Sequence, residues 1–227
     1  MTPLQITLLA ILGIDSFMHL IGEYLIIKRK SGYIFRYLTK PLLMPLLAAF
    51  YAVSTISISW WMIAGMIGGF LGDIFLMLPD PSGKKITLKI GLIAFLFGHI
   101  SYIVAFVLLG WNYSGFLWWS LIIGGTFVIY GAIIATLLLK HTGKMSIPVA
   151  VYIVVIIMMG VSTSVLIGIK TLLGVILLII GAWFFVISDT FNAFNKFAKP
   201  IPNERLITMS TYILGQFMIV LGYLYAG

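Results

Sequence analysis

Residues 171–191 read TLLGVILLIIGAWFFVISDTF, and this stretch decides the class of fold. It carries no charge before Asp189, and a helix that crosses the hydrocarbon core of a bilayer needs about 20 predominantly apolar residues. The stretch therefore predicts a membrane-spanning helix that carries one carboxyl group.

The composition extends this prediction to the whole chain. Of its 227 residues, 62% are hydrophobic and 9% are charged, whereas a soluble domain carries about 25% charged residues. So little polar surface excludes both a soluble fold and a disordered chain. Cysteine is absent, which excludes disulfides and thiolate metal sites. We expect an all-α, polytopic membrane bundle, with residues 1–227 forming a single integral membrane domain.

Uncharged stretches of suitable length predict eight spans. The weakest boundary is Ser54-Thr55-Ile56-Ser57. We predict a break there, because residues 40–78 as one helix would be roughly 58 Å long, about twice the thickness of the hydrocarbon core. The predicted spans are Pro3–Ile27, Lys40–Thr55, Ser57–Leu78, Leu88–Leu109, Gly115–Leu139, Ile147–Ile169, Thr171–Phe191 and Leu206–Tyr225.

The basic residues support the same count. With eight spans, 13 of the 14 Lys and Arg residues lie on one side of the membrane, and only Lys170 lies on the other. The positive-inside rule makes the basic side cytoplasmic and places both termini outside the cytoplasm. The net charge of +8 then reflects topology and contact with anionic membrane lipids, and nucleic acid is excluded as a partner. The residues on the basic side are Lys28, Arg29, Lys30, Arg36, Lys40, Lys84, Lys85, Lys89, Lys140, Lys144, Lys196, Lys199 and Arg205.

Two halves of the chain carry similar patterns. The third span contains a glycine eight residues before an aspartate, Gly65–Asp73, and the seventh span contains the same pattern, Gly181–Asp189. The spans that follow carry Gly98-His99 and Gly215-Gln216. The pattern predicts a 4+4 parallel internal repeat about an axis along the membrane normal, which would set the two aspartates opposite one another. Chance similarity between glycine-rich apolar segments is the alternative.

Asp73 and Asp189 are the leading candidates for catalytic groups. An ionisable residue inside a spanning helix costs roughly 2.5–3.5 kcal/mol on insertion scales, so such residues usually serve a function. Both lie near the cytoplasmic ends of their predicted spans. The structural alternatives are a hydrogen bond within the bundle and, for Asp73, a counter-charge to Lys40.

Further polar side chains in the later spans are candidates to support these acids. A buried histidine equally serves as an interhelical hydrogen-bonding group, and the two asparagines equally serve as interfacial caps. The candidates are His99, Tyr102, Tyr212, Gln216, Asn192 and Asn195.

The first span carries a polar stripe of Asp15, His19 and Glu23, spaced one helical turn apart. We expect this stripe to face the bundle interior. A Zn or Mn site is the alternative, since carboxylates and imidazoles bind these metals. Phosphate-binding loops, zinc helices, nucleophile elbows and dinucleotide fingerprints are absent from the sequence. We therefore predict no cofactor and no metal.

Four segments together resemble the YhhN-type lysoplasmalogenase family. Residues 68–79, GGFLGDIFLMLP, resemble the first motif of that family, and residues 97–102, FGHISY, resemble the helix that follows it. Residues 181–189 are similar to its later acidic motif, and Tyr212, Gln216 and Gly222 to its last helix. The first span matches no motif of the family.

The resemblance implies hydrolysis of the vinyl ether bond of lysoplasmalogens, which releases a fatty aldehyde and a glycerophospho-ethanolamine or -choline. The residues suit this chemistry, because a neutral carboxylic acid can protonate the vinyl carbon and a nearby carboxylate can activate water. We expect Asp73 and Asp189 to share these roles around one cavity, with their carboxyl groups roughly 5–9 Å apart. Lys40 is expected to meet the phosphate of the lysophospholipid substrate at the cytoplasmic leaflet.

Two other functions remain open at this point. Buried carboxylates also serve proton relays, so a proton-coupled carrier or lipid-handling protein without hydrolase activity is the alternative from another class. An enzyme with the same fold that acts on a different lipid is the second alternative.

The topology gives a first testable prediction. A reporter fused after Gly227 should give a signal characteristic of the non-cytoplasmic side, because 13 of the 14 basic residues would otherwise face the wrong side of the membrane. A cytoplasmic signal from that fusion would contradict either the number of spans or their orientation.

Overall fold

The computed structural model describes residues 1–28, 32–79, 86–111 and 118–227. Over these ranges the fold is all-helical, with eight helices that are each long and apolar enough to span a membrane. The predicted fold class and number of spans are confirmed. The helices are α1 (Pro3–Ile27), α2 (Tyr33–Ser54), α3 (Trp60–Met77), α4 (Ile86–Gly110), α5 (Trp119–Leu138), α6 (Ser146–Ser164), α7 (Leu172–Phe197) and α8 (Glu204–Ala226).

Side chains cap the free backbone N–H groups at the N-termini of two helices, α1 and α7. Lipid offers the backbone no hydrogen-bond partner, so spanning segments adopt helices and their free N–H groups need caps. The Thr2 hydroxyl accepts from the Gln5 N–H at 3.3 Å, and the Gln5 side chain accepts from the Thr2 N–H at 2.7 Å. The Thr171 hydroxyl caps α7 in a similar way, accepting from the Gly174 N–H. These caps fix the starts of α1 and α7.

The helices form two compact units, Met1–Tyr102 and Ile103–Gly227. In the first unit α1 packs on α2, and α2 packs on α3. In the second unit α5 packs on α6, α6 on α7, and α7 on α8. The boundary falls within α4, which begins in the first unit and ends in the second. The expectation that residues 1–227 form one membrane domain stays a prediction.

The start of α2 differs from the sequence-based bounds. The helix begins at Tyr33 rather than at Lys40, so Arg36 and Lys40 lie inside it and not in a loop. Both basic side chains pair with carboxylates of neighbouring helices. This pairing lowers the cost of placing their charges in a spanning helix. Counting only uncharged residues therefore truncated the predicted span.

Two later boundaries also differ. α6 ends at Ser164 rather than at Ile169, and the turns that follow include Gly168, whose φ of +76° favours glycine. α7 continues to Phe197, beyond the predicted end at Phe191, so that Asn192 is a helical residue.

Several basic residues of the predicted topology lie in helix ends rather than in loops. Lys89, Lys196 and Arg205 lie in the terminal turns of α4, α7 and α8. Arg29, Lys30, Lys84, Lys85 and the predicted span start at Gly115 lie outside the described residues. The orientation of the helices in the membrane stays a prediction.

Glycines allow close helix contacts in both units. A Cβ on Gly68 of α3 would lie 2.5 Å from the Cα of Gly98 of α4. A Cβ on Gly181 of α7 would lie 2.9 Å from the carbonyl oxygen of Gly215 of α8. Small residues at such contacts let membrane helices approach closely, which is a main source of their association. Gly98, Gly181 and Gly215 belong to the similar patterns of the two halves, but the internal repeat itself stays a prediction.

The Gly68–Gly98 contact gives a second testable prediction. We expect Gly68→Ala to destabilise the protein by about 1–3 kcal/mol, because its methyl group would meet backbone atoms that cannot rotate away. Gly13→Ala is the matched control, since a Cβ on Gly13 meets nothing within 4 Å. Thermal unfolding in detergent measures both, and equal melting temperatures for the two variants would contradict the prediction.

Candidate active site

Asp73 lies in the last turns of α3 and is buried. The Nζ of Lys40, from α2, lies 3.1 Å from its Oδ1. The Lys40 side chain is also largely buried, with 13% of its surface exposed. Sequence analysis offered Lys40 as a counter-charge to Asp73, and the structure brings these two predicted site residues together. Asp73 is thus the anion of an intramembrane ion pair.

His99 and Tyr102 of α4 are both buried in the same unit. The His99 imidazole stacks on the Phe95 ring, with centroids 6.5 Å apart. The Tyr102 ring lies against Gly65 of α3, where a Cβ would come within 2.4 Å of it. Gly65 is therefore required for the position of the Tyr102 ring.

Asp189 lies on α7 and is half-buried. The hydroxyl group of Tyr152, from α6, donates a hydrogen bond to its Oδ2. Sequence analysis missed Tyr152. The sequence feature that could have identified it is a single tyrosine in the otherwise apolar stretch 147–161, since a buried tyrosine hydroxyl usually needs a polar partner.

Aromatic side chains surround the segment of α7 that leads to Asp189. Trp183 stacks on Phe127 with ring centroids 4.2 Å apart and meets the edge of Tyr130 at 5.3 Å. The Tyr130 hydroxyl lies 3.2 Å from the Thr190 hydroxyl, to which it donates. These contacts hold α5 against α7 beside the carboxyl group.

The candidate residues of α8 are buried in the second unit. Tyr212 meets the Phe185 ring edge to face, with centroids 5.3 Å apart, and Gln216 is 1% exposed. Asn192 is half-buried on α7. Asn195 caps the α7–α8 connection, because its side chain donates to Glu204 and accepts from the N–H of Ile201. Asn195 therefore has a structural role in the α7–α8 connection, and its position at the membrane interface stays a prediction.

The polar stripe of α1 faces the protein interior, as predicted, because Asp15, His19 and Glu23 are all buried. The Arg36 guanidinium, from α2, donates to both carboxylate oxygens of Glu23, and its Nε lies 2.6 Å from Oε1. Such a bidentate pair combines charge with fixed geometry. Arg36 is a partner that sequence analysis had placed in a loop.

His19 connects the same two helices. Its Nδ1 lies 2.9 Å from the Thr39 hydroxyl oxygen, and that hydroxyl donates its hydrogen to the Phe35 carbonyl at 2.6 Å. Because a threonine hydroxyl has one hydrogen, Nδ1 of His19 must be the donor in this contact. In the parts of the chain that the structure describes, no group of three or more His, Asp or Glu side chains is placed to hold a metal ion.

The fold and these side chains define a class, namely multi-pass helical membrane proteins with carboxyl groups buried among their helices. The family is shown by sequence comparison: the chain belongs to the YhhN family, whose sequence profile matches residues 35–223. The matched range begins in α2, so that α1 and its polar stripe lie before it.

Two curated relatives match a short part of the chain. Lysoplasmalogenase TMEM86A of Homo sapiens is 49% identical over 41 residues, which cover 18% of this chain and 17% of that protein. Lysoplasmalogenase TMEM86B of Sus scrofa is 49% identical over 41 residues, which cover 18% of each chain. The chain thus matches less than a fifth of the length of these relatives. No solved structure matches.

The α1–α2 ion pair gives a third testable prediction. We expect Glu23→Gln to destabilise the protein by about 3–5 kcal/mol, because it leaves the buried Arg36 guanidinium without a counter-charge. Adding Arg36→Met should recover part of this loss. Thermal unfolding in detergent is the measurement.

Asp15→Asn makes the same acid-to-amide change at another buried position of the polar stripe on α1, and it serves as the matched control for Glu23→Gln. We expect no comparable loss, since Asp15 Oδ2 is buried without a hydrogen-bond partner. A tolerated Glu23→Gln together with a damaging Asp15→Asn would contradict the prediction.

Proposed function

We propose that the protein is a lysoplasmalogenase, which hydrolyses the vinyl ether bond of single-chain ether phospholipids. The products are a fatty aldehyde and glycerophosphoethanolamine or glycerophosphocholine. Membership of the YhhN family and the partial similarity to two lysoplasmalogenases support the proposal. The observation that carries it is that Asp73 and Asp189, both within the family match, are each held by a specific partner from a neighbouring helix.

Two carboxyl groups in different protonation states suit this chemistry. Hydrolysis of a vinyl ether begins when an acid protonates the carbon β to the oxygen, which leaves an oxocarbenium ion. Water then adds to this ion and loses a proton to a base, as in glycoside hydrolysis. The resulting hemiacetal breaks down to the aldehyde and the alcohol. In the proposal, Asp73 and Asp189 supply the acid and the base, and no cofactor takes part.

The other candidate residues have supporting roles in the proposal. His99, Tyr102, Tyr212, Gln216 and Asn192 position the water and polarise the hemiacetal, since all carry hydrogen-bonding groups. The Lys40 ammonium group has three N–H donors, and Asp73 Oδ1 accepts from one of them, which leaves donors for a second acceptor. In the proposal this second acceptor is the phosphate of the substrate. The site opens toward the cytoplasmic leaflet, where basic residues attract the lipid phosphate.

Aldehyde release is the fourth testable prediction. Purified protein in nanodiscs should convert a 1-alkenyl lysophosphatidylethanolamine to free aldehyde, quantified by mass spectrometry of its hydrazone. The 1-alkyl analogue, with the same chain and head group but no double bond, should remain intact because it has no vinyl carbon to protonate.

Variants connect this activity to the two acids. Asp73→Asn and Asp189→Asn should each lower turnover by about 10²–10⁴-fold, the usual contribution of a general acid or base. Asp15→Asn, the same change at another buried carboxyl group, should retain turnover. Folded wild-type protein that releases no aldehyde but moves the lipid across a proteoliposome membrane would contradict the proposal and favour the carrier. Turnover of a diacyl or alkyl lipid in its place would favour the second alternative.

A further inference from the structure

We infer that Arg36 and Lys40, which lie one turn apart on α2, together bind the phosphate diester of the lysophospholipid substrate. Arg36 is then a second phosphate-binding residue beside Lys40, and Glu23 is the positioning residue that orients it. The inference rests on the proposed function for the identity of the lipid and deepens it by assigning a role to Arg36. All of these residues belong to the first unit, Met1–Tyr102.

The Arg36 guanidinium has more donors than its partner uses. It carries five N–H groups in a rigid fork, and Nε and Nη2 each donate to one carboxylate oxygen of Glu23. Within the described ranges the other three N–H groups have no partner. Only 9% of the Arg36 side chain is exposed, and a buried donor without an acceptor is costly. The remaining donors therefore favour the binding of a further acceptor.

The remaining donors of Arg36 are within reach of a ligand. Its Nη1 atom makes no hydrogen bond in the described ranges, yet it is not fully enclosed by protein, in contrast to Oδ2 of Asp15. One face of the guanidinium lies against the Tyr33 ring, with Cζ 5.6 Å from the ring centroid. Glu23 and Tyr33 thus fix the fork and leave the Nη1 edge for an acceptor.

Lys40 supplies a second cation beside the first. Residues four apart on a helix are neighbours, with Cβ atoms about 5–6 Å apart, so Arg36 and Lys40 project from one face of α2. The Lys40 ammonium group donates to Asp73 and keeps two further N–H groups. A phosphate diester has two terminal oxygen atoms that share one negative charge. Each cation can therefore donate to one of these oxygens.

The balance of charge favours a lipid head group over a free anion. Glu23 and Asp73 already compensate Arg36 and Lys40, so a strongly charged anion such as inorganic phosphate would be repelled by two carboxylates. A phosphate diester brings a single negative charge. In an ethanolamine or choline lipid it also brings a positive charge of its own.

Tyrosines indicate that this end of the first unit lies at the membrane surface. Tyr24 lies near the end of α1, Tyr33 and Tyr37 lie in the first turns of α2, and all three are about half exposed. Tyrosine is enriched at the level of lipid head groups. Arg36 and Lys40 lie roughly 5 Å and 10 Å along α2 from its start at Tyr33. A single-chain lipid whose chain points into the bilayer would place its phosphate near this depth.

Binding of an uncleavable lipid tests the inference without turnover. The probes are 1-alkyl lysophosphatidylethanolamine and the 1-alkylglycerol with the same chain, which has no phosphate. Affinities are measured by calorimetry in maltoside micelles, which contain no phosphate either. Wild-type protein should bind the phosphate-bearing lipid about 10–100-fold more tightly, the usual contribution of hydrogen bonds to a charged group. Equal affinities for the two lipids would overturn the inference.

The double variant Glu23→Gln/Arg36→Met removes Arg36 together with its counter-charge. It leaves no unpaired ion of this pair and keeps the net charge at +8, so non-specific attraction to phosphate is unchanged. We expect it to lose most of the preference for the phosphate-bearing lipid. Lys28→Met is the matched control, because it removes an exposed basic side chain at the end of α1 that lies over the Tyr24 ring. A preference that persists in the double variant, or that falls equally in Lys28→Met, would overturn the inference.

Glu23→Gln alone distinguishes phosphate binding from a purely structural role of Arg36. The change removes the acceptor and keeps the donors, so the affinity for the phosphate-bearing lipid should rise above that of wild type. The lipid should also raise the melting temperature of this variant more than that of wild type, because a ligand that binds the folded state stabilises it. Weaker binding than in wild type would overturn the inference. The double variant decides the question if Glu23→Gln does not fold.

Two further probes separate the sources of the phosphate group. Inorganic phosphate should not raise the melting temperature through Arg36, and a rise as large as that given by the lysolipid would overturn the assignment to a lipid. Diacyl phosphatidylethanolamine should bind more weakly than the single-chain lipid. Equal binding would assign the subsite to a bilayer lipid and overturn its role in holding the substrate.

Turnover separates the inference from the proposed function. The ratio of kcat/KM for 1-alkenyl lysophosphatidylethanolamine to that for 1-alkenylglycerol should fall about 10–100-fold in the double variant, because only the first substrate carries a phosphate. Wild-type protein that releases no aldehyde but shows Arg36-dependent binding of the lysolipid would contradict the proposed function alone. Active wild-type protein whose ratio is unchanged in the double variant would contradict the inference alone.

Discussion

The pairing of the two basic side chains of α2 with carboxylates of its neighbours is the interaction on which the first unit depends. Arg36 binds Glu23 of α1, and Lys40 binds Asp73 of α3. These charges lie on three different helices; Lys40 is largely buried and the other three are buried, so that an unpaired charge at any of these positions would be expensive. Because α2 lies between α1 and α3 in these contacts, its two charges fix the register of both neighbours.

The same pairing connects the architecture with the chemistry. A candidate catalytic carboxylate that pairs with a lysine is held in one position, and acid–base catalysis requires a positioned side chain. Asp189 is held by a different kind of group, the phenol of Tyr152 from α6. Two carboxyl groups that look alike in the sequence are therefore contacted by different kinds of side chain, an ammonium group and a phenol.

The helices could be predicted from the sequence because hydrophobic length is a local property. All eight spans, including the break after Ser54, follow from the thickness of a bilayer. The start of α2 could not be predicted in this way, since Arg36 and Lys40 become acceptable in a spanning helix only through partners on other helices. Tyr152 was missed for the same reason. The sequence shows that a polar group is present in a span, but only the packing of helices shows what it contacts.

The position of α1 has a consequence for the helix in which the family match begins. The family match begins at residue 35, yet α1 supplies the counter-charge for Arg36, which lies just inside that range. α2 has the lowest hydropathy of the eight candidate spans in the described ranges, and it contains Pro41 and Pro45. The Glu23–Arg36 pair therefore joins the helix that precedes the matched range to the helix in which that range begins, and it compensates one of the two basic charges that lower the hydropathy of α2.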